Sequence, residues 1–295
     1  MLYRYARLVC PLLAALGCAG ATSSPAPVSP DAAVENKPAI PSIRSGEVWT
    51  IRSDPGPHIY TSISNIMLEL SAGPETSGDS MAIASRYSLR FDRTDESVPA
   101  TGQIDQFLIQ TGGRIGSTTQ PDLPLPFSGS VTKRQITISP VNQPQTASSS
   151  MTCPNFWSTA ISGVRRNVFL VPSQMTRGMI WADTVSSMTC HGLTPVSLIN
   201  SYSYQVIGEV DRQGSSAILI ERTGATSSSG EGSDGQHRVT IDGKGTSLAR
   251  FYLDKTTGTL LDAEDDQKTR VTITSSGRSQ IFTQTVREIT TLQRR

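Results

Sequence analysis

From residue 60 to residue 292 the chain falls repeatedly into short runs of alternating apolar and polar side chains, most of them separated by turn residues such as Gly, Pro, Asn, Asp or Ser. That pattern restricts it to a sheet-rich fold. The runs are 60–70, 81–91, 103–110, 132–139, 179–189, 202–210, 217–222, 237–242, 247–254, 259–264, 269–274 and 280–292. In the run 269–274, Val271 and Ile273 fall on one face and Thr272 and Thr274 on the other. The clearest hairpin is FYLDKTTGTLLDAE, residues 251–264, where Asp254 opens a tight turn and Gly258 closes it. Strands at this spacing predict a mainly β fold, a large curved antiparallel meander.

One stretch departs from the period of two. In CPNFWSTAISGVRRNVF, residues 153–169, the apolar residues Phe156, Trp157, Ala160, Ile161, Val164 and Val168 recur near a period of 3.6. Pro154 suits a first helical position, and Pro172 bars continuation. The spacing predicts one principal amphipathic helix packed on the sheet, with Phe156 and Trp157 buried against it.

At the N-terminus, Arg4 and Arg7 precede an apolar run over residues 8–16, then Gly17 and Cys18. This is an export signal, too short to span a bilayer. Residues Ala15-Leu16-Gly17-Cys18 resemble the lipobox of bacterial lipoproteins, with Ala15 where that family most often has Leu. The resemblance implies removal of residues 1–17 and acylation of Cys18, palmitate-type chains anchoring the protein in a lipid bilayer. Each buried methylene contributes about 0.8 kcal/mol, so several chains hold where one would leave. The alternative is an ordinary secretory signal cut after Ala19 or Ala21. Ala19 rather than Asp after Cys18 favours the outer membrane, facing the periplasm, in a cell with two membranes.

Residues 18–41 carry Pro25, Pro27, Pro30, Pro38 and Pro41 among small and polar side chains, and read as a tether at about 3 Å per residue when extended. The β-rich globular domain is expected over residues 42–295. Without Arg4 and Arg7 the mature chain has a net charge of −1, so no broad positive field draws nucleic acid. Only 17% of residues are charged, as in a sheet-rich envelope protein.

Once Cys10 is removed and Cys18 acylated, Cys153 and Cys190 remain in an oxidising compartment, where a disulfide between them is expected. Closing that loop stabilises by about 4 kcal/mol in the chain-entropy model. The alternative is metal, since His191 adjoins Cys190, but adjacent ligands plus one distant cysteine make no recognisable zinc spacing.

Several strings imitate catalytic motifs. SVTK, Ser130 to Lys133, matches the S-x-x-K of penicillin-binding proteins, whose chemistry needs both side chains on one helix face. Here the string leads into RQITIS, a strand pattern, and no suitable S-D-N or K-T-G accompanies it; KTTG at Lys255 lies in the hairpin turn. GEGSDG, residues 230–235, lacks the strand and helix that a dinucleotide cradle requires and reads as a loop between strands. DAEDD, residues 262–266, reads as a solvated acidic hairpin end, and His58, His191 and His237 are scattered. No enzyme activity, cofactor or metal is expected.

A curved antiparallel sheet carrying one helix resembles the half-barrel class of envelope proteins that includes lipoprotein carriers and their outer-membrane acceptors. That resemblance rests on the meander over 202–292 and the helix near Trp157. It implies a module holding an apolar ligand between sheet and helix, with Phe156 and Trp157 as candidate wall residues. The competing expectation is a structural or interaction lipoprotein with a filled core, docking another envelope protein.

Overall fold

The computed structural model describes residues 47–293, apart from 73–74, 112–113, 116–122, 142–155, 192–193 and 235–236. The signal and tether, Cys18 among them, and Cys153 lie outside the described residues.

Strands β1 (Val48–Thr50), β2 (His58–Ala72), β3 (Glu75–Arg90), β4 (Ser97–Thr111), β5 (Arg114–Ile115), β6 (Leu125–Thr132) and β7 (Ser139–Pro140) precede helix α1 (Phe156–Arg166). Strands β8 (Gln174–Thr176), β9 (Ile180–His191), β10 (Thr194–Arg212), β11 (Ser215–Asp234), β12 (His237–Asp254), β13 (Leu260–Ser275) and β14 (Arg278–Leu292) follow it. One sheet runs β7-β6-β4-β3-β2-β14-β13-β12-β11-β10-β9, with β5 on β4, and β1 and β8 form a separate two-stranded ribbon. Every pairing between these strands is antiparallel, so the expected mainly β meander, curled as a half-barrel with one short helix, is the observed fold.

The runs read separately from the sequence fuse. Those at 237–242 and 247–254 are one strand, β12, and those at 259–264 and 269–274 are one strand, β13. Gly243 and Gly245 look like turn residues in the sequence but sit in the ladder, because their neighbours leave no room for a side chain. A Cβ at Gly243 would stand 2.2 Å from Ser228 Oγ. For the same reason GEGSDG is not a loop: residues 230–234 belong to β11 and pair with β12. The expected strand at 132–139 is a correction. The chain bends at Lys133 and Arg134, and the strand is β6, whose Pro126 hid it. Pro126 is tolerated because beyond β6 only the two-residue β7 follows.

The sheet curls until its two ends touch. Gln135 bridges Ser186 of β9, Ser186 N donates to Arg134 O at 3.1 Å, and Ile136 N donates to Ser186 O at 3.4 Å. Arg165 from α1 spans this seam, donating to Met188 O at 2.8 Å on one side and to Ile138 O on the other.

The hairpin turn at Asp254 is as expected: Gly258 N donates to Asp254 O at 2.8 Å, Asp254 Oδ1 accepts from Thr256 N and Thr257 N, and Gly258 has φ 66°. The core lies on the concave face. Ala160, Ile161 and Val164 of α1 and the segment 168–171 pack with Tyr87, Phe107, Tyr204, Ile220 and Phe251, all buried. The β1–β8 ribbon adds Trp49 and Met175 to the same cluster.

Candidate functional site

The concave face is organised in cross-strand rows. One runs Trp181 (β9), Tyr204 (β10), Arg222 (β11), Ala249 (β12), Asp265 (β13), Glu288 (β14) and Ser64 (β2). Its charged members are held by α1. Arg166, in the last turn, pairs with Glu288, which also accepts from Ser64 Oγ at 2.6 Å and from Asn167 Nδ2 at 3.2 Å. Arg222 Nη2 reaches Asp265 Oδ2 at 3.1 Å and Nη1 reaches Arg166 O at 3.4 Å. Arg93 donates to Asn167 O at 2.9 Å and to Phe169 O at 3.4 Å. Two buried guanidiniums thus donate to carbonyls at and just past the helix C-terminus, where cations are favoured. Burial alone would pull Arg222 down, but Asp265 and the rings of Tyr202 and Tyr204 hold its pKa above the ordinary arginine value.

The next row toward the strand tips is Asp183, Tyr202, Gly224, Ser247, Gln267 and Val286. Several polar atoms on these two rows lack partners. Trp181 Nε1, Arg222 Nε, Ser247 Oγ and Asp265 Oδ1 are buried with no hydrogen-bond partner among the described residues. Asp183 is 8% exposed and accepts no hydrogen bond among the described residues. Burial pushes its carboxyl up to about 6, against a weaker pull from Lys133. Around it lie rings: Trp181 stacks on Tyr204 at 5.0 Å, and Tyr202 meets Tyr204 edge-on at 6.1 Å.

Beyond this floor comes a polar inward row on β10–β14, Asn200, Thr226, Gly245, Thr269 and Gln284, and the strand ends past it carry mostly apolar inward side chains. Phe282, Ile241, Val196 and Ile66 are buried, while Leu68, Leu70, Met81, Leu198, Val239, Val271 and Ile273 are only half-buried. The strands' lower half is thus filled by the chain's own side chains, and their upper half lines an inward apolar surface with partial cover.

Phe156 and Trp157 form the first turn of α1, but their side chains lie outside the described ones. Cys190 and His191 end β9, likewise without described side chains, so the Cys153–Cys190 pairing falls outside what is described. The imitation motifs separate. Ser130 Oγ sits 2.9 Å from Thr137 Oγ1 within β6, while Lys133 pairs with Glu96, so no helix face joins them. The acids of DAEDD are not a solvated end. Asp262 and Glu264 both bind Arg212, Asp265 binds Arg222, and Asp262 and Asp265 are buried. His58 lies 3.6 Å from Asp54, and His237 lies 2.7 Å from Ser276 Oγ. The floor, which sequence reading missed, is carried by residues such as Asp183 and Arg222 that look like ordinary strand charges until the register is known.

The convex face carries mid-strand charges, including Arg250 paired with Glu221 and Arg287 near Asp266, both arginines exposed. On a lipid-facing barrel wall an unpaired Arg costs about 2–4 kcal/mol at the bilayer midplane; here each lies near a carboxylate. No family model matches the chain, and no curated protein matches it. Among solved structures, the crystal structure of Neisserial surface protein A (NspA) aligns with 79% of this chain and 96% of that one at 10% identity and a TM-score of 0.22, too slight a likeness to carry function across.

Proposed function

We propose that this protein is a cell-envelope lipoprotein, anchored through acylated Cys18, whose half-barrel takes up an apolar or amphiphilic ligand. The observation that carries the binding reading is the division of the concave face. Below, Tyr87, Tyr204, Phe251 and the α1 residues Ile161 and Val164 are at most 1% exposed; above, inward Leu70, Val239, Val271 and Ile273 keep partial exposure. A self-sufficient core would have covered those side chains, since each stabilises by about 1.5–3 kcal/mol when fully buried. The anchor rests on the lipobox-like stretch ending at Cys18, and a Cys153–Cys190 disulfide suits the oxidising compartment. The test is titration of the protein with an environment-sensitive apolar fluorophore. Saturable binding that is lost in Leu70→Glu and Ile273→Glu variants is expected; an absence of binding to cooperatively folded protein would overturn the reading.

A second reading, docking of another envelope protein, is favoured by an apolar row on the convex face. Leu108, Ala84, Ile63 and Ile289 lie in register across four strands, with Leu108, Ile63 and Ile289 at 48%, 54% and 45% exposure. Ile63→Lys with Ile289→Lys should leave fluorophore binding intact; loss of a specific in-cell crosslink in that variant would favour docking.

A further inference from the structure

Among the described residues, the two rows of the floor present one carboxylate with no hydrogen-bond or ion-pair partner. Arg166 is paired with Glu288, and Arg222 with Asp265, so these four cancel. Asp183 is left over, 8% exposed, directly opposite Tyr202 in the β9–β10 register and two residues from Trp181 on the same face. Lys133, the charge that acts on it across the seam, is itself exposed and engaged with Glu96 at 3.6 Å. A buried carboxylate without donors is costly, and rings beside it add the negative face of their quadrupoles. An ammonium there would donate to the Asp183 carboxylate with the rings of Trp181 and Tyr202 beside it, and Ser247 Oγ, unpartnered three strands along the same row, is a further acceptor on the floor. Gly224, between Tyr202 and Ser247 in the same row, contributes no side chain to that surface. Beyond Asp183 on the same inward face come Val185 of β9 and, past the polar Asn200, Leu198 and Val196 of β10.

We propose that this floor is a head-group site for an amphiphile bearing a protonated amine, the ammonium meeting Asp183 among Trp181 and Tyr202 and the chain lying along the apolar upper wall. This rests on the carrier reading above and names its ligand class.

The test compares decylamine, decanol and decanoic acid by calorimetric titration of the full chain at neutral pH. The amine is expected to bind at least about tenfold tighter than the alcohol, the scale of one hydrogen bond to a charged group. Asp183→Asn, close in size and without the charge, should bring the amine to the alcohol's affinity while alcohol binding persists; Asp183→Ser is the second variant should the first not melt cooperatively. Equal binding of amine and alcohol by the unaltered protein, tighter binding of the acid, or a preference for amine that survives both variants would overturn the head-group site and leave the carrier reading standing. Binding of none of the three would overturn both.

Discussion

Arg222 of β11 and Asp265 of β13 meet at 3.1 Å across an intervening strand, because the residue between them in the row, Ala249, is small and fully buried. A larger side chain at 249 would stand between the guanidinium and the carboxylate. Arg222 also lies over the rings of Tyr202 and Phe251 at 4.3 and 4.8 Å, and donates to the last helical carbonyl of α1. One cation therefore ties three strands to the helix, and the polar floor is part of what seats α1.

Asp265→Ala should accordingly destabilise the protein by about 3–5 kcal/mol, since it strands a buried guanidinium. Replacing both partners, Arg222→Met with Asp265→Leu, should cost less than the single change. Chemical denaturation of Asp265→Ala, of the double variant and of its two constituent singles checks this. A double variant as unstable as the sum of the singles would show that the two do not act as a pair.

Asp183 gives a pH dependence of the opposite sign to a salt-bridged acid. Its carboxyl is raised to about 6 in the folded protein, so folding favours its protonated form. Stability from this group is fully present below the unfolded carboxyl range and is lost as pH rises to about 6. Asp183→Asn should therefore be more stable than the unaltered protein at pH 7–8, and its melting temperature should change less between pH 4 and 7.

The seam is the weakest line of the barrel. Among the described residues, the amides of Ser186 and Ile136, the Ser186 hydroxyl and Arg165 join its edges, whereas β11 and β12 share eighteen registered pairs. Hydrogen exchange should find the amides of Ile136 and Ser186 opening well before those of Ile220 and Phe251. Arg165→Ala should accelerate the first pair by more than tenfold, or about 1.4 kcal/mol of opening free energy, and leave the second unchanged.

What could be read from the sequence was whatever local patterning controls. The alternation of Val271 and Ile273 with Thr272 and Thr274 separated the two faces of β13, and Asp254 and Gly258 marked the turn that forms. The helix was legible because Ala160, Ile161 and Val164 keep a period of 3.6. Strand length was not, because Gly243 and Gly245 look like punctuation until the crowding by Ser228 and Thr269 is known. Nor was the floor, because Arg222, Asp265 and Glu288 are brought together by register over residues far apart in the chain. A solitary acid such as Asp183 looks like any exposed strand residue unless its neighbours are in view.

Acylation of Cys18 is checked by metabolic labelling with a fatty-acid analogue. Cys18→Ser should lose the label and either leave the envelope membrane or retain its signal. Equal labelling of the variant would end the lipoprotein reading.

The central claim, that the half-barrel carries an amphiphile in its upper half, is tested most directly by purifying the full chain from its own cells in a detergent readily distinguished by mass, extracting it with organic solvent and identifying what is released by mass spectrometry. A stoichiometric amphiphile of one chemical class is expected, absent from a parallel preparation of the Ile273→Glu variant. An empty extract from cooperatively folded protein would contradict it.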